Sequence, residues 1–329
     1  DSKSSNQKRL LMMEPCITLH LSKPSRHNFQ HSSAGRATRA TAHNSRAYES
    51  SILPVNLSLY SEMVTVVVYF TWFPRFTMFP IELSTPSQEF VLCWQTAGKH
   101  LSIKGDGAIN WLKSELTPPF LEHLSFRLGN QLFFIRLVDV DERAQMPGNL
   151  KGLMSVAKGC NGHACLMHMK KVDGEWQVLN SDWGLTSVST QQSINPVDLL
   201  SDENIEMTDW ELQDFAVEVV RDQIKNKLGG EIMSRNSNPS VYPSIWFVGK
   251  NGPEWVAVRM TSYPNPEPAH DCDLDKVAAS CVQISEVGNT ADVTIFNADQ
   301  KFEDNSPILP ILRGHAASIK FDGLKKVTS

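Results

Sequence analysis

The sequence predicts an α+β fold, with an N-terminal α+β domain followed by a mixed-sheet domain of order helix, three strands, helix, strand. Three observations carry this reading. Thr208 and Glu211 form a capping box ahead of Leu212, Phe215, Ala216, Val219, Val220, Ile224 and Leu228, which recur at helical spacing up to a Gly229-Gly230 stop. Strand candidates at 231–235, 243–248 and 254–262 follow, separated by turn residues. Upstream, residues 90–180 mix both patterns, and the polar stretch 186–204, which contains Pro196 and ends in acids, places a domain boundary.

Taken in order, the first 60 residues lack periodicity and are rich in Ser, Arg, Thr and Asn, so residues 1–77 are expected to be a disordered or spurious extension. SSAGRATRATAHNSRAYESSILPV, residues 32–55, resembles the peptides made when a transfer-RNA gene is translated in an over-extended frame. That resemblance implies a biological start near Met63 or Met78. The apolar run within residues 63–81 stops at Pro74 and Arg75, short of the roughly 20 residues a membrane-spanning helix needs. Within a domain at 78–200, FVLCWQTAG (90–98) reads as a strand, and GAINWLKSEL (107–116) and PFLEHLSFRLG (119–129) read as helices. QLFFIRLVDV (131–140) reads as a buried strand, NLKGLMSVAKG (149–159) as a short helix, and CLMHMKKVDGEWQVLN (165–180) as a hairpin turning at VDGE. In a second domain at 201–329, the helix and three strands described above precede a helix at 273–285 and strands at 291–297 and ASIKF. No internal repeat is visible in the residues themselves.

The 329 residues are 41% hydrophobic and 20% charged, which describes a globular chain of two ordinary domains. Its net charge of -5 is uneven. Residues 1–60 hold eight basic and three acidic side chains, leaving 23 basic against 33 acidic elsewhere, and so acidic a body grips a phosphate backbone poorly. Six scattered cysteines without a CxxC pair fit reduced thiols in a cytoplasm better than a disulfide framework.

Four clusters bear reactive residue types. In PSIWFVGKNGPEWVAVR two apolar runs flank a GKNGPE turn. CNGHACLMH offers Cys160, His163, Cys165 and His168 as zinc ligands, although on a strand Cys165 and His168 point to opposite faces. LVDVDE (137–142) places Asp139, Asp141 and Glu142 at a strand end, where metal sites and ordinary loops both occur. RGH (313–315) reads as a turn in which Arg313 and His315 are open to a ligand. No P-loop, dinucleotide fingerprint, HExxH or GxSxG is present.

The element order over residues 205–300, with PSIWFVGKNGPEWVAVR as its second and third strands, resembles the core of the PD-(D/E)xK nuclease-like fold. The resemblance implies an acid opening the second strand, and an acid and a lysine two residues apart on the third, which together hold a divalent metal and the attacking water. Here those places fall near Tyr242 and on Ala257 and Arg259. Tyrosine and alanine are not carboxylate ligands, and arginine is too basic for a general base. Glu218, Glu254 and Arg259 survive as candidates. Each also has a plain reading: Glu218 on a polar helix face, Glu254 at the end of a turn, Arg259 paired with a carboxylate or holding a phosphate.

The leading expectation is therefore a bacterial cytoplasmic protein, not an enzyme, whose nuclease-like domain has lost its metal ligands and acts as a binding or scaffold module for a protein partner or a weak nucleic-acid contact. It implies no cofactor and no membrane association. The alternatives are an active magnesium-dependent nuclease whose acids have moved to Glu218, Glu254 or the DVDE loop, and a partner-binding protein unrelated to nucleases.

Overall fold

A computed structural model describes residues 17–19, 86–114, 123–265, 267–303 and 305–327. Residues 32–55 and the apolar run 63–81 lie outside them. All described residues belong to one compact unit that holds two sheets. Among them, no helix is long and apolar enough to cross a membrane.

The first sheet begins with a helix, not a strand. Helix α1 (Gln88–Gly105) starts at Ser87, whose hydroxyl accepts the Phe90 N–H at 3.1 Å. Phe90, Cys93, Trp94, Ala97 and Leu101 lie at helical spacing along its buried face. FVLCW alone looks like a strand because a five-residue apolar run is too short to display that period. The next two expected helices are also strands. β2 (Ile109–Lys113) pairs antiparallel with β3 (Leu124–Leu128), and β3 pairs antiparallel with β4 (Gln131–Asp139). Every residue of β3 is buried, including Ser125 and Arg127, so the alternation that identifies a half-exposed strand is missing.

From β4 through the hairpin that ends at Val178 the sequence reading and the structure agree. Helix α2 (Leu150–Gly159), capped by Asn149, leads to β5 (His163–Val172), which runs parallel to β4. Asp173 and Gly174, both with positive φ, turn the chain from β5 into β6 (Glu175–Val178). β7 (Leu185–Ser187) and β8 (Ser193–Ile194) complete the order β2-β3-β4-β5-β7-β8, with β6 also on β5. Helix α1 packs on the face carrying Phe126, Phe133 and Ile135; α2 packs on the other, against Leu132 and Phe134.

The chain then crosses residues 195–208 into the second sheet. Helix α3 (Asp209–Gln223) has both bonds of the capping box, ends in a wider turn at Ile224–Leu228, and stops at Gly229 with φ 67°. β9 (Glu231–Arg235), β10 (Ile245–Gly249) and β11 (Gly252–Ser262) form an antiparallel meander. Helix α4 (Leu274–Cys281) crosses over to β12 (Gly288–Asn297), which lies parallel to β11. β13 (Ala317–Phe321) and β14 (Lys325–Lys326) pair with β12, and β1 (Ile17–Leu19) pairs with β13. Val256 and Val258 face α3 in a cluster with Leu212, Ala216 and Val220, while Trp255 and Ala257 face α4 with Val277 and Cys281.

The two halves thus repeat one topology that residue identity conceals: helix, antiparallel meander, crossover helix on the opposite face, parallel strand. Their hairpins close on equivalent rungs, Leu128 with Gln131 and Gly249 with Gly252.

Candidate functional site

The three residues singled out in the second half do not converge. Along β11 side chains alternate, so Glu254 lies on the α3 side with Val256 and Val258, whereas Arg259 lies on the α4 side with Trp255 and Ala257. Glu254 is part of the strand, not the end of its turn; it accepts bonds from Asn289 at 3.0 Å and Lys326 at 2.8 Å. Glu218, on α3, is half-buried and not simply solvated. It pairs with Arg235 of β9 and with Arg221 at 2.5 Å. Burial pushes its carboxyl above the ordinary range against the pull of Arg235.

At the place of the implied motif, Ala257 is fully buried under α4. Arg259 donates through Nε to Asp292 Oδ1 at 2.7 Å, and its Nη2 lies 2.5 Å from the same oxygen. Asp292 is the residue beside Arg259 on the parallel strand β12, and its other oxygen takes Lys325 at 3.2 Å. Tyr242 is half-buried against the cluster beneath α4, and burial raises its hydroxyl above the usual phenol value. Burial also pushes the Cys272 thiol up to about 11. The arginine is thus closed by the chain's own carboxylate.

The first half disperses its candidates too. Cys160 lies buried at the end of α2 and Cys165 beneath α1, burial pushing each thiol up to about 12. His163 stacks on Phe133 with ring centroids 5.1 Å apart and bonds Gln131 at 3.1 Å, while His168 points away from Cys165 across the sheet. In the DVDE loop, Asp139 accepts the backbone N–H groups of Asp141, Arg143 and Ala144, which makes it the organiser of that turn. Among the described residues, no three His, Cys, Asp or Glu side chains are placed to hold a metal.

Sequence reasoning missed the polar contacts joining the two halves. Arg313 is buried, not open to a ligand: its Nε and Nη2 reach Glu211 at 2.8 and 2.9 Å, and its remaining N–H groups meet the carbonyls of Cys160 and Asn130. His315 is exposed. Lys113 of β2 meets Asp214 of α3 at 2.6 Å. Burial pushes Asp214 up, but Lys113, aided by Ser237 and Arg235, holds it below the usual carboxylate range. Nearby His123 packs edge-on against Phe134 with its Nε2 unpartnered, and burial, with Lys113 beside it, pushes its pKa down to about 4. The signal present in the sequence was Glu211 itself, a capping residue with one carboxylate oxygen to spare.

A family model described as a domain of unknown function (DUF8840) matches residues 210–327, from the first turn of α3 to the residue after β14. No curated protein and no solved structure matches the chain.

Proposed function

We propose that residues 205–300 form a nuclease-like module without metal ligands, and that the protein is a cytoplasmic binding or scaffold protein, not an enzyme. The observation that carries this reading is the pair at the motif positions: Ala257, sealed in the core beneath α4, and Arg259, held by Asp292. Helix, meander, crossover helix and parallel strand in this order support the topology. Of the acids that an active variant would need elsewhere, Glu218 is engaged by arginines, Glu254 by Asn289 and Lys326, and Asp139 by its own loop. A fold retains its packing when its site is gone, and its exposed faces then serve recognition. The free thiols Cys93, Cys160, Cys165 and Cys281, all buried, fit a reducing compartment.

The test is to titrate the full chain with magnesium and manganese chloride. No cleavage of single- or double-stranded DNA or RNA is expected, and no rise in melting temperature, since an ion bound to the native state stabilises it by mass action. Metal-dependent cleavage abolished by Glu254→Ala would establish the magnesium-dependent nuclease instead.

A further inference from the structure

The repeated topology allows the two halves to be compared rung by rung. Counting from the hairpin closures Leu128–Gln131 and Gly249–Gly252, Val138 occupies the place of Arg259, and Arg136 that of Ala257. The parallel partner of Val138 is His168, as that of Arg259 is Asp292. In the second half the arginine and the carboxylate close on each other. In the first half an arginine lies on the same face, two residues earlier, and a histidine stands where the carboxylate would be.

Arg136 has the same-face neighbours Phe134, Val138, Leu166 and His168, none of them acidic. Its Nη2 donates to the carbonyl of Gly148 at 3.2 Å, and its Nε is buried without a partner. Among the described residues no carboxylate pairs with it. The apolar layer beneath α2 includes Phe134 and Leu166; Arg136 is the rung partner of Leu166, and His168, the partner of Val138, lies diagonally from it on the next rung of the same face. A guanidinium remains charged at any working pH, and an anion in its fork would give the buried Nε an acceptor and the charge a counter-ion.

We infer that Arg136 and His168 form a binding site for one small oxyanion of the phosphate type, held where the second half holds the carboxylate of Asp292. The inference compares the halves of this chain with each other and is independent of the nuclease-like reading.

The experiment is calorimetric and thermal titration of the full chain with inorganic phosphate and with phenyl phosphate, at ionic strength held constant with sodium chloride. Saturable binding is expected, with the tighter of the two compounds showing whether the site takes the free anion or a phosphorylated molecule. Arg136→Gln should weaken binding by about tenfold or more, as expected for a charge-assisted bond, and Arg136→Lys should restore part of it. His168→Asp places a carboxylate next to Arg136 and should abolish binding while raising the melting temperature in its absence. This second variant decides the matter if Arg136→Gln fails to fold. Absence of saturable binding, or binding unchanged in both Arg136→Gln and His168→Asp, would overturn the inference.

Discussion

Removing Arg313 should destabilise the protein more than removing any exposed charge, because its counter-ion would be left buried. The side chain of Arg313 is 2% exposed and that of Glu211 9%, and the pair is bidentate at 2.8 and 2.9 Å. Breaking a buried pair from one side costs about 3–5 kcal/mol, mostly from the stranded charge. The backbone N–H of Thr208 still reaches Glu211 at 3.0 Å, which places Arg313→Met at the lower end, near about 3 kcal/mol. For a chain of this size that is a fall in melting temperature of roughly 6–12 °C. Glu211→Met should cost less than Arg313→Met plus the loss of a helix cap, about 1 kcal/mol, because arginine retains two carbonyl acceptors. The double variant should be more stable than Arg313→Met alone, since it buries no charge. Urea unfolding followed by tryptophan fluorescence, with all four proteins in one thermodynamic cycle, measures this directly. A single-variant cost below about 1 kcal/mol, or a double variant whose loss equals the sum of the singles, would refute the assignment of Arg313 as the anchor between the halves.

Two further perturbations probe the cores and the junction. Val258 is fully buried beneath α3, so Val258→Ala should cost on the order of 1–3 kcal/mol in chemical denaturation, and a loss under about 0.5 kcal/mol would contradict that packing. His123, whose pKa is pushed down to about 4, is neutral in the folded protein; its contribution is complete above the unfolded value near 6.5 and is lost as pH falls toward 4, by at most about 3 kcal/mol. His123→Phe should flatten that acid limb between pH 6.5 and 4 while Asp214, whose depressed pKa acts only at lower pH, still governs the loss below it; parallel curves for the two proteins would exclude the histidine.

What could be read in the sequence depended on how much water each element meets. Helix α3 carries a cap and a stop that mark both its ends, and the polar turn of β10–β11 marks the place of the hairpin, although its strands close more tightly than the turn residues suggest and Glu254 already lies within β11. The valine and tryptophan faces of β11 followed from parity alone, because α3 covers one face and α4 the other with different residues. Segments without such signals misled. β3 is enclosed on both faces, and α1 presents its first five apolar residues almost consecutively, so neither displays its period over a short window. Site residues were harder for a separate reason. Arg259 was recognisable as a cation that needed a partner, but Asp292, its partner, is 33 residues away and becomes a neighbour only through the parallel pairing of β11 with β12. Arg313 reaches Glu211 across 102 residues, and no local pattern encodes that distance.

The repeat was invisible for the same physical reason that it persists. Phe90, Cys93, Trp94, Ala97 and Leu101 occupy α1 with the same spacing as Gln213, Ala216, Val217, Val220 and Ile224 on α3 and its final turn, yet no pair is identical. Ser87 and Thr208 cap those helices, and Asn149 and Asp273 cap the crossovers, each chemically equivalent and each a different residue. A core tolerates exchange of apolar residues when volume and pattern are retained, and a cap needs only an oxygen in the right place. Sequence identity can therefore vanish while every strand keeps its neighbours. The ends of these faces are under less packing constraint, and there the halves diverge in charge: an arginine closed by the aspartate on its own rung in one, an arginine with a histidine diagonally from it in the other. Two copies of one architecture that differ at equivalent rungs locate whatever distinguishes their roles in those side chains, because the backbone that presents them is common to both.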